Sequence, residues 1–197
     1  MSGTPVTTAA IVLAGGRAQR LGGADKAQVV VDGRPLVEHV LAAVGDCHPV
    51  IAVGPADLAR TGVRVVREDP PFTGPAAATL AALPLVSAAE ETWLLACDLP
   101  QASALMSILS VVPIPADADG IVAVDGEGRM QWLAGRYRVS ALQQAAGTIA
   151  NADGASMRAL LGGLRLHPVR ADGATIDLDT WEAIEDYRRS REQRSTP

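Results

Sequence analysis

Thr8-Ala-Ala-Ile-Val-Leu13 runs straight into Ala14-Gly15-Gly16, and the chain continues Arg17-Ala-Gln-Arg20-Leu-Gly-Gly-Ala-Asp25-Lys26. A short, nearly continuous apolar run that ends on paired glycines reads as a buried strand opening into a glycine loop. Such a strand belongs to a parallel sheet covered on both faces, because a strand with one wet face would alternate instead.

The segments further along agree. Gln28–Val31 reads as a small strand closed by Asp32-Gly33-Arg34, and Pro35–Val44 as a helix with apolar residues at Leu36, Val37, Val40, Leu41 and Val44, stopped by Gly45. Val50–Val53 and Val63–Val66 are strands around a short helix, Ala56–Arg60. The proline-rich loop Arg67–Gly74 leads into a helix, Pro75–Leu83. Thr92–Ala96 is a strand followed at once by Cys97-Asp98-Leu99-Pro100, and Ala102–Val111 is a helix. Gly120–Val124 and Gln131–Tyr137 flank Asp125-Gly126-Glu127-Gly128 as a hairpin. Helices at Ser140–Ala146 and Ala155–Leu161, a strand at Leu164–Val169 and a last helix from Thr180 to Arg189 follow. Strands alternating with helices predict an α/β fold, a mostly parallel sheet with helices on both faces, in one domain over 1–190 with a polar tail over 191–197.

Composition bounds the function. The chain has 197 residues, 48% hydrophobic and 20% charged, which excludes a disordered chain. A net charge of −5 speaks against a general nucleic-acid binder. Two cysteines, Cys47 and Cys97, are too few for a disulfide framework or a four-cysteine zinc site. No apolar run approaches the ~20 residues of a membrane span, and Met1–Thr8 carries no basic side chain, so a cytoplasmic protein with no membrane partner is expected. Sixteen of the 17 basic side chains are arginine, and the one lysine is Lys26. Where arginine serves almost everywhere, a lone lysine marks a position where a guanidinium does not.

Ligands of such sheets bind beyond the carboxyl ends of strands. Glycines there let backbone N–H groups approach an anion, and Arg17, Arg20 and Lys26 supply counter-charge for a polyphosphate. The spacing fits neither a G-x-G-x-x-G dinucleotide loop nor a Walker loop, since Lys26 comes three residues after Gly23 and precedes Ala27. A solvated surface loop is the plainer alternative. Asp98, just past a buried strand, suits a hard cation bound to a nucleoside triphosphate; it suits equally well the N-cap of the helix near Ala102. His39, His48 and His167 are scattered, with no metal-binding spacing.

Leu13-Ala-Gly-Gly16 with Arg20-Leu-Gly-Gly-Ala-Asp25-Lys26 resembles the signature of the molybdenum cofactor guanylyltransferases, a branch of the nucleotidyltransferase superfamily with a three-layer Rossmann-like fold. The resemblance implies transfer of GMP from GTP to the terminal phosphate of molybdopterin, with release of pyrophosphate. It implies Arg20, Lys26 and Asp98 as catalytic residues, Asp98 as the Mg²⁺ ligand, and a nucleotide site at Leu13, Ala14, Gly15, Gly16, Lys26, Asp69 and Asp98. Glu68-Asp69…Gly74-Pro75 is similar to a family element bordering the nucleotide, but continues with three alanines where the family has Leu-Ala-Gly. Asp177-Leu-Asp179-Thr180-Trp181 stands where the family commonly has Asn-x-Asn-Thr-Pro, which makes Asp177 a possible second metal residue and leaves Asp179 or Thr180 as a helix cap. Gln131 is implied to face the acceptor, whereas Trp132 and Tyr137 also read as core aromatics. The family also implies transient contact with molybdenum-cofactor enzymes or insertion factors. The family's base-contacting Asn after the second main strand is replaced by Val53-Gly54-Pro55, which leaves open a cytidylyltransferase for the same pterin or a sugar-phosphate nucleotidylyltransferase. A nucleotide-binding protein without turnover fits less well with Arg20, Lys26 and Asp98 all kept.

Overall fold

In the computed structural model, which describes residues 6–15, 25–176, 178 and 180–195, the apolar run at the start forms the middle of a sheet. The elements are β1 (Thr8–Leu13), β2 (Val30–Val31), β3 (Arg34–Pro35), α1 (Leu36–Ala43), β4 (Val50–Val53), β5 (Val63–Val66), α2 (Pro75–Ala82), β6 (Glu91–Ala96), α3 (Ala102–Ser110), β7 (Gly120–Val124), β8 (Met130–Arg138), α4 (Val139–Ala146), α5 (Met157–Leu161), β9 (Leu166–Arg170) and α6 (Trp181–Ser195). Seven strands make the main sheet in the order β5-β4-β1-β6-β8-β7-β9, and β2 pairs with β3 in a separate ribbon. Only β8 runs against its neighbours, entered through a hairpin whose turn is held by Asp125 Oδ1, which accepts the N–H groups of Glu127 and Arg129, both at 2.9 Å.

Both faces of β1 are covered, which explains its unbroken apolar sequence. Ala10 and Val12 pack toward α1 and α3, with Val37, Val40, Leu105 and Leu109. Ala9, Ile11 and Leu13 pack the other way, among Ala76 and Ala82 of α2, Leu142 of α4 and Leu160 and Leu161 of α5. A third cluster joins α6 to the small ribbon through Val29, Val31, Leu36, Leu178, Ile184 and Tyr187. From β1 the chain builds outward to β4 and β5, then crosses to β6 on β1's other side. That reversal opens a crevice at the carboxyl ends of β1 and β6.

Several boundaries differ from the sequence reading. Gln28–Val31 is not one strand: Lys26–Gln28 is a 3₁₀ turn, because Asp25 Oδ1 accepts the Ala27 N–H at 3.0 Å, and the strand begins at Val30. The helix expected from Ala155 starts at Met157, where Ser156 Oγ caps the Ala159 N–H. The last helix does not stop at Arg189 but continues through Ser195, past the expected start of the tail at 191. Its polar sequence carries no periodic signal, and it is tied back instead, by Arg188 donating to the Val30 carbonyl and Arg191 Nε lying 3.2 Å from Asp32 Oδ2.

Two glycines make room for Tyr137. Its ring is fully buried and its hydroxyl donates to the Trp132 carbonyl at 2.7 Å. A Cβ on Gly135 would lie 2.7 Å from the Ile121 carbonyl oxygen and 2.9 Å from Tyr137 Cε2, and one on Gly120 would lie 2.9 Å from Tyr137 Cδ1. Overpacking of this kind typically costs about 1–3 kcal/mol. Gly135→Ala is therefore expected to lower the urea midpoint by that much stability; an unchanged midpoint would mean that the β7–β8 pair relaxes around the methyl group.

Candidate active site

The ends of β5, β4, β1 and β6 form one continuous edge. The Gly54 N–H donates to the Val66 carbonyl, the Ala14 N–H to Val53 and the Cys97 N–H to Leu13, at 2.9, 2.8 and 3.0 Å. Leu13 and Ala14 thus still belong to the hydrogen-bonded sheet. Gly54 lies tight against this point: a Cβ there would sit 2.8 Å from Leu58 Cδ1 and 3.0 Å from the Ala14 carbonyl oxygen. A side chain at Gly54 would crowd the Ala14 carbonyl.

Lys26 and Asp98, 72 residues apart, meet just past the carboxyl end of β6. The Lys26 ammonium donates to Asp98 Oδ2 in an ion pair whose side chains are 19% and 11% exposed. The other oxygen, Asp98 Oδ1, is buried without a hydrogen-bond partner among the described residues. Lys26 is aimed by the capped turn that Asp25 closes, and Asp98 by the turn leaving β6. Asp98 is not the helix cap that the sequence also allowed: the N-cap of α3 is Gln101. The Leu178 N–H donates to the Asp98 carbonyl at 3.3 Å, which brings the segment before α6 to the same place.

The remaining candidates divide. Gly16, Arg17, Arg20, Asp177 and Asp179 lie outside the described residues. Thr180 Oγ1 accepts the Ala183 N–H at 3.1 Å and caps α6. Asp69 is exposed on the loop after β5, two strands and so roughly 10 Å across the edge from β1. Its neighbour Glu68, passed over in the sequence, is buried; Oε1 accepts the Phe72 N–H at 2.8 Å, and Oε2 has no partner among the described residues. The only advance sign was its place beside Asp69. Gln131 stands at this edge but spends its amide on Asp125 Oδ2 at 2.9 Å, bracing the hairpin. Tyr137 is a core aromatic, and Trp132 packs half-buried against the same cluster. Buried His39 bonds the Val31 carbonyl through Nε2 at 2.8 Å. Among the described residues no three His, Cys, Asp or Glu side chains gather as a metal cluster, and no helix is long and apolar enough to cross a membrane.

A buried carboxylate with one oxygen unpartnered among the described residues, beside an ammonium past the carboxyl end of β6, is chemistry for a cation-bound polyphosphate. A sequence profile of the MobA-like NTP transferase domain matches residues 10–169. The chain belongs to that family. It is 36% identical over 135 residues to the molybdenum cofactor guanylyltransferase of Bradyrhizobium sp. (strain ORS 278), a match spanning 64% of each chain. It is 32% identical over 139 residues to the probable molybdenum cofactor guanylyltransferase of Mycobacterium ulcerans, 68% of this chain and 69% of that one. The match to the Bradyrhizobium relative thus spans just under two thirds of that protein's length. Among solved structures, the molybdopterin-guanine dinucleotide biosynthesis protein A of Archaeoglobus fulgidus superposes with a TM-score of 0.71 over 94% of this chain and 99% of its own, at 16% identity. That likeness is one of fold: a mostly parallel Rossmann-like sheet with helices on both faces.

Neither thiol of this family member is set up as a nucleophile. Burial, then the charge of Asp46, pushes Cys47 up to about 11. Burial, then Asp98, pushes Cys97 far above the usual thiol range. A folded thiol that holds its proton more tightly adds stability below its ordinary value of 9.0, and that stability is lost as pH rises toward 11. At pH 8 a disulfide reagent is expected to leave both cysteines unmodified for minutes in the native protein and to label both at once in urea; rapid native labelling would overturn their assignment as packing residues.

Proposed function

We propose that the protein transfers GMP from GTP to the terminal phosphate of molybdopterin and releases pyrophosphate, working in the cytoplasm. The observation that carries this reading is the Lys26–Asp98 pair at the carboxyl edge of β1 and β6, in a chain whose relatives are named guanylyltransferases. The acceptor brings its own nucleophile, since a phosphomonoester with a second pKa of about 6 is mostly a dianion at neutral pH. No general base is then required, and no histidine stands in the crevice among the described residues.

The protein's task is to hold the reactants in line and to offset charge that builds on the α-phosphate and the leaving pyrophosphate. Lys26 does this directly, and Arg20 is proposed beside it. Backbone groups of Leu13, Ala14 and Gly15, with Gly16, hold the purine, and Asp69 borders the nucleotide. The half-satisfied carboxylate of Asp98 fits a hard divalent cation, proposed to be Mg²⁺, with Asp177 as a second residue toward it. Bound there, such an ion supplies positive charge to the triphosphate. The same reading gives the product a destination, in transient contact with molybdenum-cofactor enzymes or insertion factors.

GTP with Mg²⁺ is expected to raise the melting temperature more than CTP, ATP or UTP; at 100 times its Kd a ligand stabilises by about 2.7 kcal/mol. A rise with CTP alone would replace the guanylyl reading with a cytidylyl one, the rival left open by Val53-Gly54-Pro55. Asp98→Asn and Lys26→Ala should each lose roughly 10²–10³ in kcat, the usual loss when one charge-stabilising contact is removed from a preorganised site. Full activity in either variant would remove that residue from the chemistry.

A further inference from the structure

Phe72 is the one phenylalanine of the chain, and it stands half in water. It is 47% exposed, on the loop that leaves β5 at the carboxyl edge of the sheet and enters α2. Its φ of 67° lies in the left-handed region, which a bulky side chain rarely adopts. Such a conformation persists only where its surroundings overrule it. Two side chains do so here. Glu68, 8% exposed, accepts the Phe72 N–H at 2.8 Å, and its second oxygen has no partner among the described residues. The Arg67 guanidinium stands over the ring, 4.7 Å from its centre. A half-satisfied buried carboxylate and a left-handed phenylalanine both oppose folding, so the arrangement does not serve stability. What it achieves is a ring fixed in place, and a fixed ring loses little further freedom when a ligand settles on it.

The place of the ring points to the ligand. Lys26 and Asp98, proposed to face the phosphates and their cation, lie past β6, and the purine is proposed at the β1 loop. That direction, from β6 to β1, continues to β4 and β5, and Phe72 stands on the loop after β5, close in sequence to Asp69. The helix entered from this loop shares a cluster with Leu13 through Ala76 and Ala78, which brings the loop back toward β1. Protein docking fits less well. Phe72 is the only large apolar side chain exposed on this loop among the described residues, and Arg67 and Asp69 near it are charged and exposed. A protein contact needs a surround that excludes water, whereas a flat heterocycle needs one ring.

The geometry points to Phe72 as the residue on which the base of the nucleotide stacks. This inference rests on the proposed nucleotide reading and adds to it a contact with the base that is made by a side chain. A stack recognises the flat face that every base has. The platform therefore adds affinity for the nucleoside half and leaves the choice of base to hydrogen bonds elsewhere.

Calorimetry with Mg·GTP and with Mg·tripolyphosphate, which has the charge and no base, tests the assignment. Phe72→Leu keeps an apolar side chain and removes the ring. It should bind Mg·GTP about tenfold more weakly than the wild-type protein, the usual size of one base stack, and bind Mg·tripolyphosphate equally well. Phe72→Trp should restore Mg·GTP binding to within about twofold. In turnover, Phe72→Leu should raise KM for GTP and leave kcat near the wild-type value, since the ring touches no reacting atom. Should Phe72→Leu melt below the wild-type protein, Phe72→Gly, which relieves the left-handed backbone, takes its place. Wild-type affinity for Mg·GTP in the ring-less variant overturns the platform. So does an equal loss for tripolyphosphate, or a raised KM confined to molybdopterin, which gives the ring to the acceptor. The wild-type protein answers separately for the nucleotide reading: binding Mg·CTP and not Mg·GTP removes the guanylyl assignment and moves the same test to CTP, and binding no nucleoside triphosphate ends both.

Discussion

The site depends on the register between β1 and β6. Six consecutive pairs, from Thr8 opposite Glu91 to Leu13 opposite Ala96, set the two strand ends at one height, and the Cys97 N–H adds a further bond to Leu13. Both strands are buried on both faces, so a slip of one residue would turn every side chain toward the wrong layer. The register is thereby fixed by packing far from the crevice, and with it the place where the β1 loop and Asp98 emerge. Electrostatic catalysis needs this rigidity, because charges that must reorganise at the moment of reaction lose most of their effect.

A second constraint holds the lysine side. The turn bearing Lys26 runs directly into Val29 and Val31, which pack with Leu36 beneath Leu178, Ile184 and Tyr187. Leu178 also donates its N–H to the Asp98 carbonyl. One small apolar cluster therefore fastens both the strand after Lys26 and the backbone next to Asp98. This gives the polar α6 a reason to exist: it closes the cluster and ties itself to the ribbon through Arg188 and Arg191. Damage to that cluster would disturb the site without touching a charged residue in it.

Much of this was legible in the sequence because it is local. The unbroken apolar run of β1, the apolar spacing of α1, the glycine turn of the hairpin and Asp98 past β6 all follow from neighbours in the chain. What was not legible comes from contacts between distant residues. Glu68 and Asp69 look interchangeable in sequence, and only the fold buries one and exposes the other. Asp98 suits a cap and a cation ligand equally in sequence, and only the fold sets Lys26 against it. Nothing beside Gly54 in the chain announces that it packs against the Ala14 carbonyl and the Leu58 side chain. The length of α6 had no apolar period to announce it, and the capped turn at Lys26–Gln28 was hidden inside a stretch rich in β-branched residues.

The single lysine among 17 basic residues has a geometric meaning beyond charge. Elsewhere the arginines use their forked donors to fasten backbone: Arg138 reaches the carbonyls of Ala118, Ile114 and Pro115, and Arg136 that of Val112. A guanidinium facing Asp98 would tend to bind both carboxylate oxygens in parallel. That would occupy Oδ1, which has no hydrogen-bond partner among the described residues. An ammonium is a point charge on a flexible stem; it engages Oδ2 alone and leaves the second oxygen, unpartnered among the described residues, open to a hard cation.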